Sequence, residues 1–90
     1  MSAKIITYDL RKAGQDYTNL IKAIKEYSNC QKITESCWAI NSDDTPNTIY
    51  TNLNQYLDTN DRIFVATLTG AATWRNSIGD KDKLKTILES

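Results

Sequence analysis

The stretch KIITYDL, residues 4 to 10, is the segment on which the predicted fold depends. Its Ile, Thr and Tyr side chains suit a pleated, partly buried surface, so the stretch predicts a first β-strand. Asp9 stands at the end of this apolar run. Either its side chain ends the strand by accepting hydrogen bonds from loop amides, as aspartates do in turns, or it is a functional carboxylate.

The residues that follow the first strand predict an amphipathic helix. Gly14 interrupts the strand pattern, and Asp16 is a plausible helix N-cap. We expect the helix to end near Asn29. Its apolar residues recur at helical spacing and are Tyr17, Leu20, Ile21, Ile24 and Tyr27.

Residues 31–41, QKITESCWAIN, return to strand-forming composition. They predict either one bent strand or a tight hairpin that turns near Glu35 and Ser36, and we favour the hairpin. A two-residue turn would place Cys37 opposite Thr34.

The second half of the chain repeats the alternation of helix and strand. Thr45 can cap a helix, and Pro46 suits its first position, where no backbone N–H is needed. The segment 62–69, RIFVATLT, is the clearest strand. Residues 71–79 are interpreted as a loop or a short edge strand, and 81–89 as a short terminal helix.

This order of elements predicts a single α+β domain over residues 1–90. Right-handed crossovers give the ferredoxin-like βαββαβ arrangement, a four-stranded antiparallel sheet with two helices on one face. We place its core at about residues 4–70, followed by a C-terminal extension or helix over 71–90. One sheet face is left uncovered in this arrangement, and a second chain that covers it would make a homodimer.

Composition restricts the classes of function. Lys plus Arg and Asp plus Glu number 11 each, so net charge gives no general attraction to nucleic acid. No apolar run is long enough for a membrane helix and no secretion signal is evident, which predicts a cytoplasmic protein without membrane association. The chain has no histidine and two cysteines, Cys30 and Cys37, which we expect to be free thiols with packing roles.

Several motifs resemble a known family. Tyr8-Asp9-Leu10, Gly14-Gln15-Asp16-Tyr17 and Trp38 within the second strand region are similar to the CRISPR-associated small endoribonuclease family (Cas two) and its relative, virulence-associated protein D. The resemblance is closest to small stand-alone homologues from phages and bacteria, often labelled SinR-like. It spans residues 4 to about 70.

The resemblance implies a ferredoxin-like homodimer in which Asp9 meets its copy across the two-fold axis. In family members described as nucleases, that pair of carboxylates holds a divalent metal. Mg²⁺ is a hard cation that binds through one or two carboxylates and keeps several waters, so paired Asp9 side chains would suffice as its protein ligands. In other members the same fold is a structural subunit that binds DNA.

Five basic residues are candidates for binding phosphate. Arg11 and Lys12 follow Asp9 directly, and the predicted first helix carries lysines but no arginine. Nuclease-type relatives carry more arginines in this region, which argues against strong affinity because affinity rises with the number of phosphates neutralised. The candidates are Arg11, Lys12, Lys22, Lys25 and Arg75.

Three aromatic residues, Tyr8, Trp38 and Trp74, are candidates for a dimer or partner interface. Trp38 is interpreted as a core or dimer-face aromatic in preference to a base-stacking platform. Trp74 either stacks on a base or packs the C-terminal tail over a sheet edge, and we favour the second because open edges are usually covered.

Two functions are therefore expected from the sequence. The first is a non-catalytic dimeric module of a phage, mobile element or bacterial defence context that binds a protein, RNA or DNA. The second is a Mg²⁺-dependent endoribonuclease or RNA-acting toxin with Asp9 as metal ligand and catalytic residue. The neutral charge and the lack of a second acid or base beside Asp9 favour the first.

Overall fold

The computed structural model describes residues 2–11, 17–69 and 72–89, and within these residues it contains four strands and three helices. The strands form one antiparallel sheet in the order β2-β3-β1-β4. This confirms the predicted α+β class, the four-stranded antiparallel sheet and the terminal helix. The elements in chain order are β1 (Ser2–Asp9), α1 (Thr18–Lys25), β2 (Ser28–Thr34), β3 (Cys37–Ser42), α2 (Pro46–Asn54), β4 (Arg62–Thr67) and α3 (Lys81–Glu89).

The hairpin between β2 and β3 is confirmed. Glu35 and Ser36 form the turn, and Cys37 pairs with Thr34 as the two-residue turn predicts. Both cysteines are free thiols, as expected. Register shifts interrupt the β2–β3 ladder, and Asn29 adopts φ 52 at the first of them.

The prediction that the first helix runs to about Asn29 is wrong. α1 ends at Lys25, because the backbone from Ser28 onward joins the sheet as β2 and Asn29 has a positive φ that no α-helix accommodates. The structure places Tyr17 at the N-cap position without a side-chain cap bond. The predicted Asp16 cap lies outside the described residues.

The start of α2 is as predicted. Thr45 is the N-cap, its hydroxyl accepts a hydrogen bond from the Thr48 backbone N–H at 3.2 Å, and Pro46 is the first helical residue. The apolar stripe Ile49, Leu53, Tyr56 and Leu57 predicts a helix that continues to about Leu57, but α2 ends at Asn54. Tyr56 and Leu57 follow the helix and still pack against the core.

The main core lies between the sheet and the pair α1 and α2. Alternate residues of β1 and β3 point towards these helices and are buried, and Ile6 and Ile40 are fully buried. Each such side chain contributes roughly 1.5–3 kcal/mol of burial free energy. The buried members are Ile6, Tyr8, Leu20, Ala23, Ile24, Trp38, Ile40, Ile49 and Leu53.

The second sheet face is partly covered by the chain itself, which corrects the expectation that this face is left uncovered. Leu84 and Ile87 of α3 pack on Ala3 and Ala39 from the opposite side of the sheet. α3 contacts β1, β2 and β3, so it protects the β2 side of this face. On the β4 side, the Phe64 side chain remains 60% exposed.

Residues between β4 and α3 also cover one edge of the sheet. The backbone N–H groups of Ile78 and Gly79 donate to the carbonyls of Ile33 and Lys32 at 3.1 and 2.7 Å. Trp74 packs against the smaller core cluster beneath α3. This arrangement confirms that the tail packs over a sheet edge, and the edge covered is that of β2.

Candidate functional site

Asp9 lies at the carboxyl end of β1 with a half-exposed side chain and two arginines beside it. The Arg62 guanidinium donates to Asp9 Oδ2 at 3.0 Å, and the Arg11 guanidinium lies 3.4 Å from the same oxygen. A shallow recess of about 190 Å³ adjoins this cluster and is bounded by Thr7 and Phe64 among others. Asp9 is therefore ion-paired within its own chain.

The β1–β4 register produces this pairing. Arg62 is the first residue of β4, and the antiparallel ladder places it directly opposite Asp9, the last residue of β1. Opposite charges facing each other across a strand pair stabilise a sheet modestly. Sequence reasoning placed Arg62 in a strand but not beside Asp9, because register over 50 residues is not readable from local spacing.

Asp61, which the sequence did not single out, connects the two loops beside the Asp9 cluster. Its carboxylate accepts from the backbone N–H groups of Arg11 and Asp58, both at 2.7 Å. It also accepts from the Tyr17 hydroxyl, 2.7 and 2.8 Å from its two oxygens. Partial desolvation opposes the charge, but these donors hold the pKa of Asp61 below its ordinary value. Asp61 is thus a structural anion that fixes the start of the loop after β1.

The side chains around Asp9 are poorly suited to bind a divalent cation. Mg²⁺ prefers a set of oxygen ligands, whereas each chain offers here one carboxylate already bound by two guanidinium groups. A two-fold pair would add a second carboxylate together with its own arginines. Among the described residues, no group of three or more Asp, Glu, Cys or His side chains is arranged to hold a metal.

The candidate phosphate-binding residues do not form one surface. Arg11 follows β1, while Lys22 and Lys25 are exposed on α1, which packs on one face of the sheet. Arg75 is exposed in the segment that packs on the opposite face with α3. Lys12 lies outside the described residues.

Two of the three candidate interface aromatics are buried inside the chain. Tyr8 and Trp38 are 7% and 5% exposed, and the Trp38 indole N–H donates to the Tyr8 hydroxyl at 3.0 Å. Both belong to the core against α1 and α2, so they offer almost no surface to a partner. Trp74 is half-buried and packs against the smaller core cluster that α3 forms with the sheet. The exposed aromatic beside Asp9 is Phe64, which the sequence pattern did not distinguish from a buried strand residue.

The two thiols are poorly suited to nucleophilic chemistry. Burial raises the pKa of Cys30 above its ordinary value, against smaller opposing effects of a backbone hydrogen bond and of Lys25. Burial likewise raises the pKa of Cys37, with a smaller opposing hydrogen bond to Thr34. Because the thiolate is the reactive form, neither cysteine is activated as a nucleophile. Cys30 packs against the main core.

No family model matches this chain, and comparisons with curated proteins and with solved structures find no match. None of the helices in the described part of the chain is long and apolar enough to cross a membrane. The resemblance to the Cas two family therefore rests on the sequence motifs alone.

Proposed function

We propose that this chain is a ferredoxin-like, Cas-two-like interaction module that acts as a cytoplasmic homodimer without catalysis, in a phage, mobile element or bacterial defence context. The sheet order β2-β3-β1-β4, with α1 and α2 packed on one face, is compatible with the ferredoxin-like βαββαβ arrangement. The Tyr8-Asp9-Leu10 motif at the end of β1 supports the family assignment.

The observation that carries this proposal is the ion pairing of Asp9. In a metal-dependent nuclease this carboxylate would have to be free to hold a cation, yet Arg62 and Arg11 both lie within ion-pair distance of the same Asp9 oxygen. A metal cation would have to displace Arg62 and Arg11 from Asp9, and their attraction to the carboxylate would be lost. Their positive charges would also remain near the incoming cation and repel it. The cluster therefore favours a structural role for Asp9.

The partner is more readily a protein than a nucleic acid. Phosphate binding gains affinity from several cations on one surface, and the described basic candidates are distributed over different parts of the fold: Arg11 after β1, Lys22 and Lys25 on α1, and Arg75 before α3. RNA or DNA binding is tested by fluorescence anisotropy with labelled single-stranded RNA and duplex DNA at increasing salt. Weak binding with little dependence on salt is expected, while tight binding that falls steeply with salt would identify a nucleic-acid partner.

The alternative function is a Mg²⁺-dependent endoribonuclease with Asp9 from each of two chains at the dimer axis. The half-exposed position of Asp9 at a strand end is the feature that favours it. The discriminating experiment incubates single-stranded RNA with the full chain, with Asp9→Ala and with Asp44→Ala, each in Mg²⁺ and in EDTA. Asp44 is a matched control because it is also an exposed aspartate.

We expect the three proteins to leave the RNA equally intact in both conditions. Cleavage that requires Mg²⁺, persists in Asp44→Ala and is lost in Asp9→Ala would overturn the non-catalytic proposal. The same samples, examined by light scattering, report the oligomeric state, and a strict monomer at all concentrations would remove the dimer from the proposal.

A further inference from the structure

The two edges of the sheet differ in how they are protected. The β2 edge is covered by the chain's own residues 78 and 79, which bond to its carbonyls. β4 forms the other edge, and its alternation of exposed and half-buried residues makes it more exposed than β1 or β3. Within the described residues, no backbone hydrogen bond from outside the β1–β4 ladder reaches β4.

The hydrogen-bond pattern identifies which β4 groups face outward. The Leu68 N–H donates to the Ala3 carbonyl at 2.9 Å, and the register continues from this pair as Ile5 opposite Ala66 and Thr7 opposite Phe64. In an antiparallel ladder, alternate residues bond to the same neighbour. The N–H and C=O groups of the intervening residues therefore point away from the sheet, and these residues are Ile63, Val65 and Thr67.

The side chains of this edge lack the usual protection against pairing. The stretch IFVAT, residues 63–67, contains no charge and no proline, and the β1–β4 register runs without a bulge. Lysines, prolines and bulges are the devices by which proteins prevent contact at open edges. Phe64, at 60% exposed, adds an apolar side chain beside the open backbone.

We infer that the β4 edge pairs antiparallel with the β4 edge of a second copy, with the two-fold axis at Val65. This register joins Val65 to its copy and Ile63 to Thr67 of the partner, so every outward-facing residue is bonded, by about six hydrogen bonds in total. Phe64 then lies opposite the small Ala66 side chain. No charged residues face each other within the paired stretch, and the neutral chain does not repel its copy.

A second copy is favoured over an unrelated strand because the edge is complementary to itself. The three outward-facing residues are spaced symmetrically about Val65, and a β-branched pair at the centre with an aromatic opposite a small residue on the other face is a favourable cross-strand combination. The two chains would form one continuous eight-stranded sheet, with α1 and α2 of both copies on the same face.

This inference rests on the dimeric interaction module proposed above and specifies its interface. It also separates the two copies of Asp9. Arg62, opposite Asp9, is three residues from Val65 along β4, and β1 is one strand further from the axis. At about 3.3 Å per residue and 4.8 Å per strand, the two Asp9 positions lie roughly 25 Å apart, too far for a shared metal ion.

The first test is amide hydrogen exchange by NMR on the full chain at low and high protein concentration, with oligomeric state measured on the same samples by light scattering. We expect dimer formation at high concentration and slower exchange at Ile63, Val65 and Thr67 as it forms. The amides of Phe64 and Ala66 bond to β1 and should be protected in both samples. A monomer at high concentration, or a dimer in which the three outward amides exchange as fast as in the monomer, overturns the inference.

The second test uses Phe64→Lys with Ile78→Lys as its matched control, because Ile78 is an apolar residue of similar exposure, 52%, away from β4. The lysine should shift the monomer–dimer equilibrium at least tenfold towards monomer, and the control should leave it unchanged. Equal dimerisation of both variants overturns the edge pairing. Mg²⁺-dependent RNA cleavage that requires Asp9 would instead overturn the proposed function, so the two failures are distinguishable.

Discussion

Asp9 and Arg62 face each other across the β1–β4 ladder, and the guanidinium donates to the carboxylate at 3.0 Å. The pair joins the end of the central strand to the start of an edge strand. It also places a positive charge beside the carboxylate that the alternative nuclease function would use as a metal ligand.

This ion pair should contribute little to stability, because both side chains are at least half exposed. A double-mutant cycle with Asp9→Ala and Arg62→Ala should give a coupling free energy of about 0.2–1 kcal/mol that decreases at high salt. Urea unfolding of the four proteins supplies the measurement. A coupling of several kcal/mol would mean that Asp9 is held in a far more buried network.

α3 should be an integral part of the domain. Leu84 is 1% exposed against the sheet, so Leu84→Ala should lower the free energy of unfolding by about 2–5 kcal/mol. Lys85→Ala on the exposed side of the same helix removes only an ion pair with Glu89 and should cost about 0.5 kcal/mol or less. Equal urea midpoints for the two variants would show that α3 does not stabilise the sheet.

Asp61 should make the protein sensitive to acid. Its pKa is lowered in the folded state, so its contribution to stability is complete above the unfolded value of about 4 and is lost as the pH falls through the folded value. Thermal unfolding followed against pH should show a smaller acid-dependent loss in Asp61→Asn than in the wild type. Tyr17→Phe removes one donor and should give an intermediate profile, and profiles that superimpose for all three would rule out this linkage.

Gly79 lies so close to β2 that a larger residue at this position should strain the contact. A Cβ at this position would lie 2.6 Å from Gln31 Oε1 and 3.0 Å from the Lys32 carbonyl. Gly79→Ala should therefore push the Gln31 side chain out of its hydrogen bond with the Asp80 N–H and crowd the Lys32 carbonyl, which weakens the contact of the tail with β2 by about 1 kcal/mol. Hydrogen exchange at the Ile78 amide is the specific measurement, and Ser77→Ala is the control. Unchanged protection in Gly79→Ala would show that β2 accommodates the methyl group.

The sequence was sufficient for features that depend on a few neighbouring residues. The Thr45–Pro46 helix start is specified by a hydroxyl cap and a residue that lacks an N–H. The strand ending in Asp9 follows from its composition, and the β2–β3 hairpin follows from its spacing.

Features that depend on distant parts of the chain were not readable in this way. α1 ends earlier than predicted because residues 28–34 pair with β3. Tertiary pairing here overrides the helical periodicity of the sequence. Predicting that α3 packs on the second sheet face requires knowing which face the other two helices leave open. The role of Asp61 depends on two loops that meet only after folding. The sequence placed Asp9 at the end of a strand, but it did not indicate that an arginine lies opposite it.

The central position of β1 has a consequence for biosynthesis. β1 precedes both of its neighbours, β3 and β4, in the chain, and α3 follows β4. At typical rates of translation, about 4–16 s separate the synthesis of β1 from that of the end of α3. Until β3 and β4 have been made within this interval, the nascent chain carries an apolar strand with an open edge, so chaperone contact during translation should concentrate on residues 2–9.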